Sequence, residues 1–145
     1  MSTVKVQVAT KKSPEEVRQI LTDFSPARAK AWPGVDLSHL KVHDSGENWI
    51  EVTEGNNVGW ERERYSWDDA AGTVTATTVE SNLWAAGSRW DYKLVPVDGG
   101  TRVELTLHRT GKGVKGKLIG ALLPLIGPKM IKGGLQSALG PAPAG

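Results

Sequence analysis

The sequence predicts an α+β domain: a curved antiparallel sheet of about seven strands wrapped around a long C-terminal helix, with two short helices after the first strand. Three observations lead there. From Leu37 to Arg109, short runs with strand-like alternation are separated by turn-forming residues such as Ser45-Gly46 and Asp98-Gly99-Gly100. A helix start, Ser13-Pro14-Glu15-Glu16, follows directly on the first alternating run. Beyond Arg109 the chain turns helical, apolar and basic, and holds no acid after Glu104.

The elements follow in order. Val4-Lys5-Val6-Gln7-Val8 alternates as a strand does. Ser13 suits a helix N-cap, Pro14 the first helical position, and Glu16 completes a capping box. That helix buries Val17, Ile20, Leu21 and Phe24, and Ser25-Pro26 ends it and starts a second, short helix running to Ala31. Trp32-Pro33-Gly34 turns the chain. Strands are then expected over Leu37–Asp44, Trp49–Glu54, Val58–Trp67, Thr73–Glu80, Ser88–Val97 and Thr101–Arg109. The last helix extends to Leu139, making residues 1–139 one domain and 140–145, Gly-Pro-Ala-Pro-Ala-Gly, a flexible tail.

Bulk composition narrows the chemistry. The chain has 145 residues and no cysteine, which excludes disulfides, thiolate catalysis and Cys-ligated metals. His39 and His43 have helical ligand spacing, but on a strand they stand ~13 Å apart and cannot share an ion. No metal is expected. No nucleophile motif, Walker loop or dinucleotide fingerprint is present, and Gly111-Lys112-Gly113 lacks phosphate-loop spacing. No cofactor is expected, and no nucleic-acid reader motif accompanies the basic residues. The N-terminus has no signal-peptide pattern, which predicts a cytoplasmic protein, at most peripheral to a membrane.

The best local pattern is Gly87-Ser88-Arg89-Trp90-Asp91-Tyr92-Lys93-Leu94, then Gly99-Gly100-Thr101-Arg102-Val103 and a glycine-containing terminal helix. With the element order around it, this resembles the START-like helix-grip superfamily, also called SRPBCC, which includes polyketide cyclase/dehydrase-like and lipid-transfer proteins. The resemblance covers nearly the whole chain. It implies a sheet gripping the terminal helix with a hydrophobic cavity between them. It implies no single activity and carries over no catalytic residue.

Alternation places Trp90, Tyr92 and Leu94, and Val103, Leu105 and Leu107, on the inner face. Trp60, Trp84, Trp90, Tyr92, Leu105 and Leu107 are the candidate ligand-lining residues of the sheet and its loops, with Trp32 and Trp84 at an entrance. Leu118, Leu122 and Leu125 of the terminal helix are the candidate cap, on one face with Val114 and Ala121. In the run Trp60-Glu61-Arg62-Glu63-Arg64-Tyr65, one face carries Trp60, Arg62 and Arg64, the other Glu61, Glu63 and Tyr65. The sequence does not say which points inward. Arg62 and Arg64 are the candidate polar anchors if theirs does, and solvated cross-strand partners if it does not.

In the terminal helix, Gly116, Gly120, Gly127 and Gly134 fall near one stripe, and Pro124 should kink the helix, with Gly127-Pro128 able to end one segment and begin another. Residues 1–104 carry a net charge of −4 and residues 105–145 one of +6. Lys112, Lys115, Lys117, Lys129 and Lys132 are therefore candidates for peripheral contact with an anionic membrane. The leading functional expectation is binding of a hydrophobic small molecule, a lipid or an aromatic/polyketide-like compound. A cyclase/dehydrase-type enzyme using the same cavity is the first alternative. A protein-interaction module acting through the apolar helix is the second.

Overall fold

The structure is a computed structural model and describes residues 2–143. Its elements are β1 (Ser2–Thr10), α1 (Pro14–Leu21), α2 (Ala27–Ala31), a 3-10 turn (Leu37–His39), β2 (Lys41–Ser45), β3 (Trp49–Gly55), β4 (Trp60–Asp68), β5 (Thr73–Ser81), β6 (Arg89–Val97), β7 (Gly100–Arg109) and α3 (Gly113–Leu139). The seven strands form one antiparallel sheet in the order β1-β7-β6-β5-β4-β3-β2. Only β1 is inserted out of sequence, against β7. This is the helix-grip architecture, with α3 lying chiefly against β1.

Period-two alternation sets the inner face. Val4, Val6 and Val8 stand opposite Leu107, Leu105 and Val103, and these in turn stand beside Trp90, Tyr92 and Leu94. Most are fully buried, forming the core with Val17 and Leu21 of α1. The capping box forms as the sequence requires: Ser13 Oγ accepts from the Glu16 N–H and the Glu16 carboxylate accepts from the Ser13 N–H.

Three details depart from expectation. Residues Leu37–His39 turn as a 3-10 helix because the Asp36 carboxylate accepts from the Ser38 N–H, an Asx-type contact that competes with strand pairing. His39 and His43 consequently lie in different elements, and His43 is joined to Thr53 Oγ1 at 2.7 Å. Second, α3 runs unbroken from Gly113 to Leu139 through both Pro124 and Pro128. Pro124 cannot donate to the Gly120 carbonyl, and the hydroxyl of Ser2 donates to it instead at 2.8 Å. Third, the start of the expected tail is tied down: the Pro141 carbonyl accepts from the Lys11 N–H. Ala144 and Gly145, the last two residues of that tail, lie outside the described residues.

The largest departure is the orientation of α3. Gly116, Gly120, Leu123 and Gly127 face the sheet, followed by Leu135 and Leu139, while Leu118, Leu122 and Leu125 face outward. Close approach explains the choice. A Cβ at Gly116 would run into the Leu83 carbonyl, and Gly120 sits over the Trp84 ring. Because the helix backbone itself meets the Leu83–Trp84 loop at Gly116 and Gly120, leucine cannot occupy these two positions, and the inward leucines Leu123, Leu135 and Leu139 lie further along the helix.

Candidate functional site

A cavity of about 240 Å³ opens between the sheet and the segment around α2. Its walls are Arg28, Trp32 and Val35 on one side and inward residues of β3, β4 and β6 on the other, principally Glu54, Glu61, Glu63, Tyr65, Trp90 and Tyr92. The rim is held by two contacts across it. The Asp36 N–H donates to the Gly55 carbonyl, and Asn56 Nδ2 donates to the Gly34 carbonyl.

The floor of this cavity is unusual in carrying three carboxyl groups on the inner face of the sheet. Glu54 stands directly opposite Glu61 in the β3–β4 register, and Val52 opposite Glu63. Like charges facing each other across a ladder repel, and burial makes the repulsion worse. The structure answers with two buried arginines. Arg28 forms a two-pronged ion pair with Glu54, its Nε donating at 2.6 Å and its Nη2 at 3.2 Å. The same guanidinium donates to Tyr65 Oη and to the Leu21 carbonyl, and lies over the Phe24 ring. On the other side Arg109 grips Glu61 through Nη1 and Nη2, with Thr78 Oγ1 also donating to that carboxylate. The Arg109 guanidinium stacks between the Trp84 and Trp90 rings, at 4.8 and 4.9 Å from their centroids.

Glu63 is the third carboxyl, and no arginine remains for it. It is buried, and no hydrogen bond to its side chain occurs among the described residues. Burial first, then the charges of Glu61 and Glu54, push its carboxyl well above the ordinary range, against the weaker pull of Arg109 and Arg28. Glu63 is thereby disposed to carry its proton and to act as a hydrogen-bond donor. Burial likewise raises the phenols of Tyr65 and Tyr92, keeping both neutral. Burial works to lower the Arg28 pKa, but Glu54 and the neighbouring phenols outweigh it and hold the guanidinium charged. One further donor completes the set. The indole N–H of Trp90 is buried and has no partner among the described residues. The cavity thus combines aromatic walls with the Glu63 carboxyl and, beside it, the Trp90 N–H, neither of which has a hydrogen-bond partner among the described residues.

A family model described as polyketide cyclase / dehydrase and lipid transport matches residues 1–140. The chain belongs to this family. No curated protein matches the sequence. Among solved structures, the chain is similar to the Zhui aromatase/cyclase of a Streptomyces species, with a TM-score of 0.78 and 13% identity over 95% of this chain and 91% of that one. It is similar also to a Thermus thermophilus protein, with a TM-score of 0.72 and 19% identity over 95% and 92% of the two chains. A START superfamily protein of Mycobacterium smegmatis follows, with a TM-score of 0.64 and 15% identity over 92% and 97%. At these identities the likenesses establish the shared fold and nothing finer.

For this member of the polyketide cyclase/dehydrase and lipid transport family, the structure redistributes the candidate site residues. Trp90 and Tyr92 line the cavity, as does Trp32. Leu105 and Leu107 lie on the inner face but are packed into the core. Trp84 is buried under Arg109 rather than placed at an entrance. Trp60, Arg62 and Arg64 take the outer face of β4, since Glu63 and Tyr65 on the alternate face are buried. Arg62 and Arg64 are not cavity anchors. Both donate to Glu51 on the neighbouring strand, and the Arg62 contact, 2.6 Å from Nη2, leads in holding the Glu51 carboxyl below its ordinary range. Leu118, Leu122 and Leu125 do not cap the cavity: they are exposed, and α3 contributes no residue to its lining. Lys112 is partly engaged, its Nζ donating to the Ser81 carbonyl.

Arg28, Glu54, Glu61, Glu63 and Arg109 were not among the sequence candidates. Arg109 was within reach, because it continues the inward series Val103, Leu105, Leu107 by one more step. Glu61 and Glu63 share the face of Tyr65. Arg28 sits in a five-residue helix whose orientation no periodicity could fix.

Proposed function

We propose that this protein binds a small, predominantly apolar ligand that presents an oxygen acceptor, an aromatic ketone or phenol, in the cavity beside α2. The observation that carries the reading is the placing of the Glu63 carboxyl, which has no hydrogen bond among the described residues and whose pKa burial raises, in an aromatic-walled pocket beside Trp90, whose buried N–H has no partner among the described residues. An unpartnered buried donor such as the Trp90 N–H costs about 1–3 kcal/mol, and a carbonyl or phenol oxygen that reached it would recover that cost on binding. The cavity volume is just below the ~300–1,000 Å³ usual for ligand sites, which favours a compact one- or two-ring compound over a long acyl chain. Membership of the polyketide cyclase/dehydrase and lipid transport family supports the ligand class.

One observation favours an enzymatic version of the same site. Glu63, whose carboxyl burial pushes above the ordinary range, shares one pocket with the ion-paired carboxylates Glu54 and Glu61. Groups of one chemical type with opposed protonation can divide acid and base roles. In that version Glu54 or Glu61 takes a proton from the carbon between two carbonyls of the ligand, that carbon bonds to a further carbonyl carbon of the same ligand, and Glu63 gives its proton to the oxygen there, whose C=O bond becomes a C–OH.

The test is titration of aromatic ketones and phenols, alongside hydrocarbons of the same shape, followed by tryptophan fluorescence. The oxygen-bearing compounds should bind at least ten-fold more tightly than their hydrocarbon counterparts. Glu63→Gln, which retains a donor, should keep most of that preference, while Glu63→Ala and Trp90→Phe should each lose it. Equal affinity for ketone and hydrocarbon would remove the basis for the proposal. Turnover of a poly-β-keto substrate abolished by Glu63→Gln would decide for the enzyme.

A further inference from the structure

The outward face of α3 has the composition of a core and the exposure of a surface. Val114, Leu118, Leu125 and Met130 are 88%, 64%, 78% and 65% exposed, and Leu122 and Ile126 are exposed beside them. At 3.6 residues per turn, Val114, Leu118, Leu122 and Leu125 fall within an arc of ~80°. Lys115 borders one edge of that arc, Lys117 the other, and Lys129 and Lys132 continue it towards the C-terminus. All four lysines are exposed, and α3 contains no acidic residue.

We infer that this face of α3 docks the protein on an anionic lipid surface. The apolar arc enters the interfacial region while the flanking lysines reach out to phosphate or carboxylate headgroups along their own hydrocarbon stems. Charge selects this occupant over a second copy. A two-fold contact would set the same four lysines of each copy against one another with no carboxylate between them. The helix has the length and apolarity to cross a bilayer, yet its glycine stripe is held against the Leu83–Trp84 loop, its Leu135 and Leu139 in the core. It therefore lies on the surface rather than across it. Where the helix meets the loop, at Gly116 and Gly120, the inward positions hold glycine, and the exposed leucines Leu118, Leu122 and Leu125 are left to serve another contact. This inference is independent of the cavity, whose lining contains no α3 residue.

Co-sedimentation of the full chain with vesicles of phosphatidylcholine alone, and with ~30% phosphatidylserine, tests it. Binding is expected to the anionic vesicles only, and 0.5 M salt should release it because headgroup attraction is screened over a few ångströms. Each engaged lysine multiplies partitioning about five-fold, so Lys115→Gln/Lys117→Gln should lower it about 25-fold. Leu118→Ser/Leu125→Ser should lower it more than ten-fold while moving the thermal midpoint by no more than a few degrees, since both side chains are largely exposed. Three results would overturn the inference: no binding to either vesicle, equal binding to both, or a stable dimer in solution that Leu118→Ser/Leu125→Ser converts to monomer. The salt comparison uses the unaltered protein and stands whatever the variants do to folding.

Discussion

Replacing Glu63 by glutamine should change how stability responds to pH in a way that no exposed carboxylate would. Its folded pKa lies well above 4.5, chiefly through burial and then through Glu61 and Glu54. The folded state therefore holds a proton that the unfolded chain releases as pH rises through the ordinary glutamate value. For a group raised on folding, the associated stability is fully present below the unfolded pKa and is lost as pH climbs towards the folded one. The loss accumulates at about 1.4 kcal/mol per pH unit within that window. Glutamine has the same shape, binds no proton, and escapes the loss. The assay is urea denaturation of both proteins from pH 4 to pH 8, reported as the difference in unfolding free energy. Taking the difference cancels Glu51, Asp23 and the other carboxyls that folding depresses. Glu63→Gln should gain on the wild type by about 1.4 kcal/mol for each pH unit above the ordinary glutamate value until the folded carboxyl ionises. Two parallel profiles would mean that Glu63 titrates as a solvated residue, and the account of the cavity floor would be wrong.

Other perturbations probe the same structure from different sides. Arg28→Met should lower stability by about 3–5 kcal/mol in thermal or urea melts, because it strands the buried Glu54 opposite Glu61. Arg28→Met combined with Glu54→Gln should recover much of that loss. Gly116→Ala should destabilise by about 1–3 kcal/mol, since its methyl would collide with the Leu83 carbonyl. Gly133→Ala, where a Cβ meets open space, should stabilise by up to about 1 kcal/mol in the same melts. Arg62→Ala should leave ligand affinity within two-fold and change stability by no more than about 1 kcal/mol, as expected of a half-exposed pair on the outer face.

Much of the fold was legible because sheets advertise their inner faces. Alternation in Val4–Val8, Trp90–Leu94 and Val103–Leu107 identified residues that the structure brings into one core. The capping box at Ser13 and the Asp98-Gly99-Gly100 turn fixed two boundaries closely. The sequence misleads where hydrophobicity does not track burial. On α3 the decisive quantity is backbone distance to the Leu83–Trp84 loop, which selects glycine at positions 116 and 120 and turns Leu118 and Leu122 outward. The binding site was hidden for a related reason. Its polar groups are glutamates and arginines, which read as surface residues one by one. Only the register that sets Glu54 against Glu61, and the tertiary approach of Arg28 and Arg109 from 26 and 48 positions away in the chain, shows them to be a buried array. Arg109 alone was recoverable, by extending the β7 alternation one step.

The central claim is that Trp90 and Glu63 hold their donors ready for a ligand oxygen. The most direct measurement is the 15N–1H spectrum of the six indole N–H groups during titration with an aromatic ketone, the Trp90 signal assigned by its loss in Trp90→Phe. The account predicts that the Trp90 resonance moves downfield as its N–H gains an acceptor, with Trp49 and Trp67, which lie outside the cavity lining, unmoved. A saturable titration that leaves Trp90 in place, or that shifts only indoles away from the cavity, would contradict it.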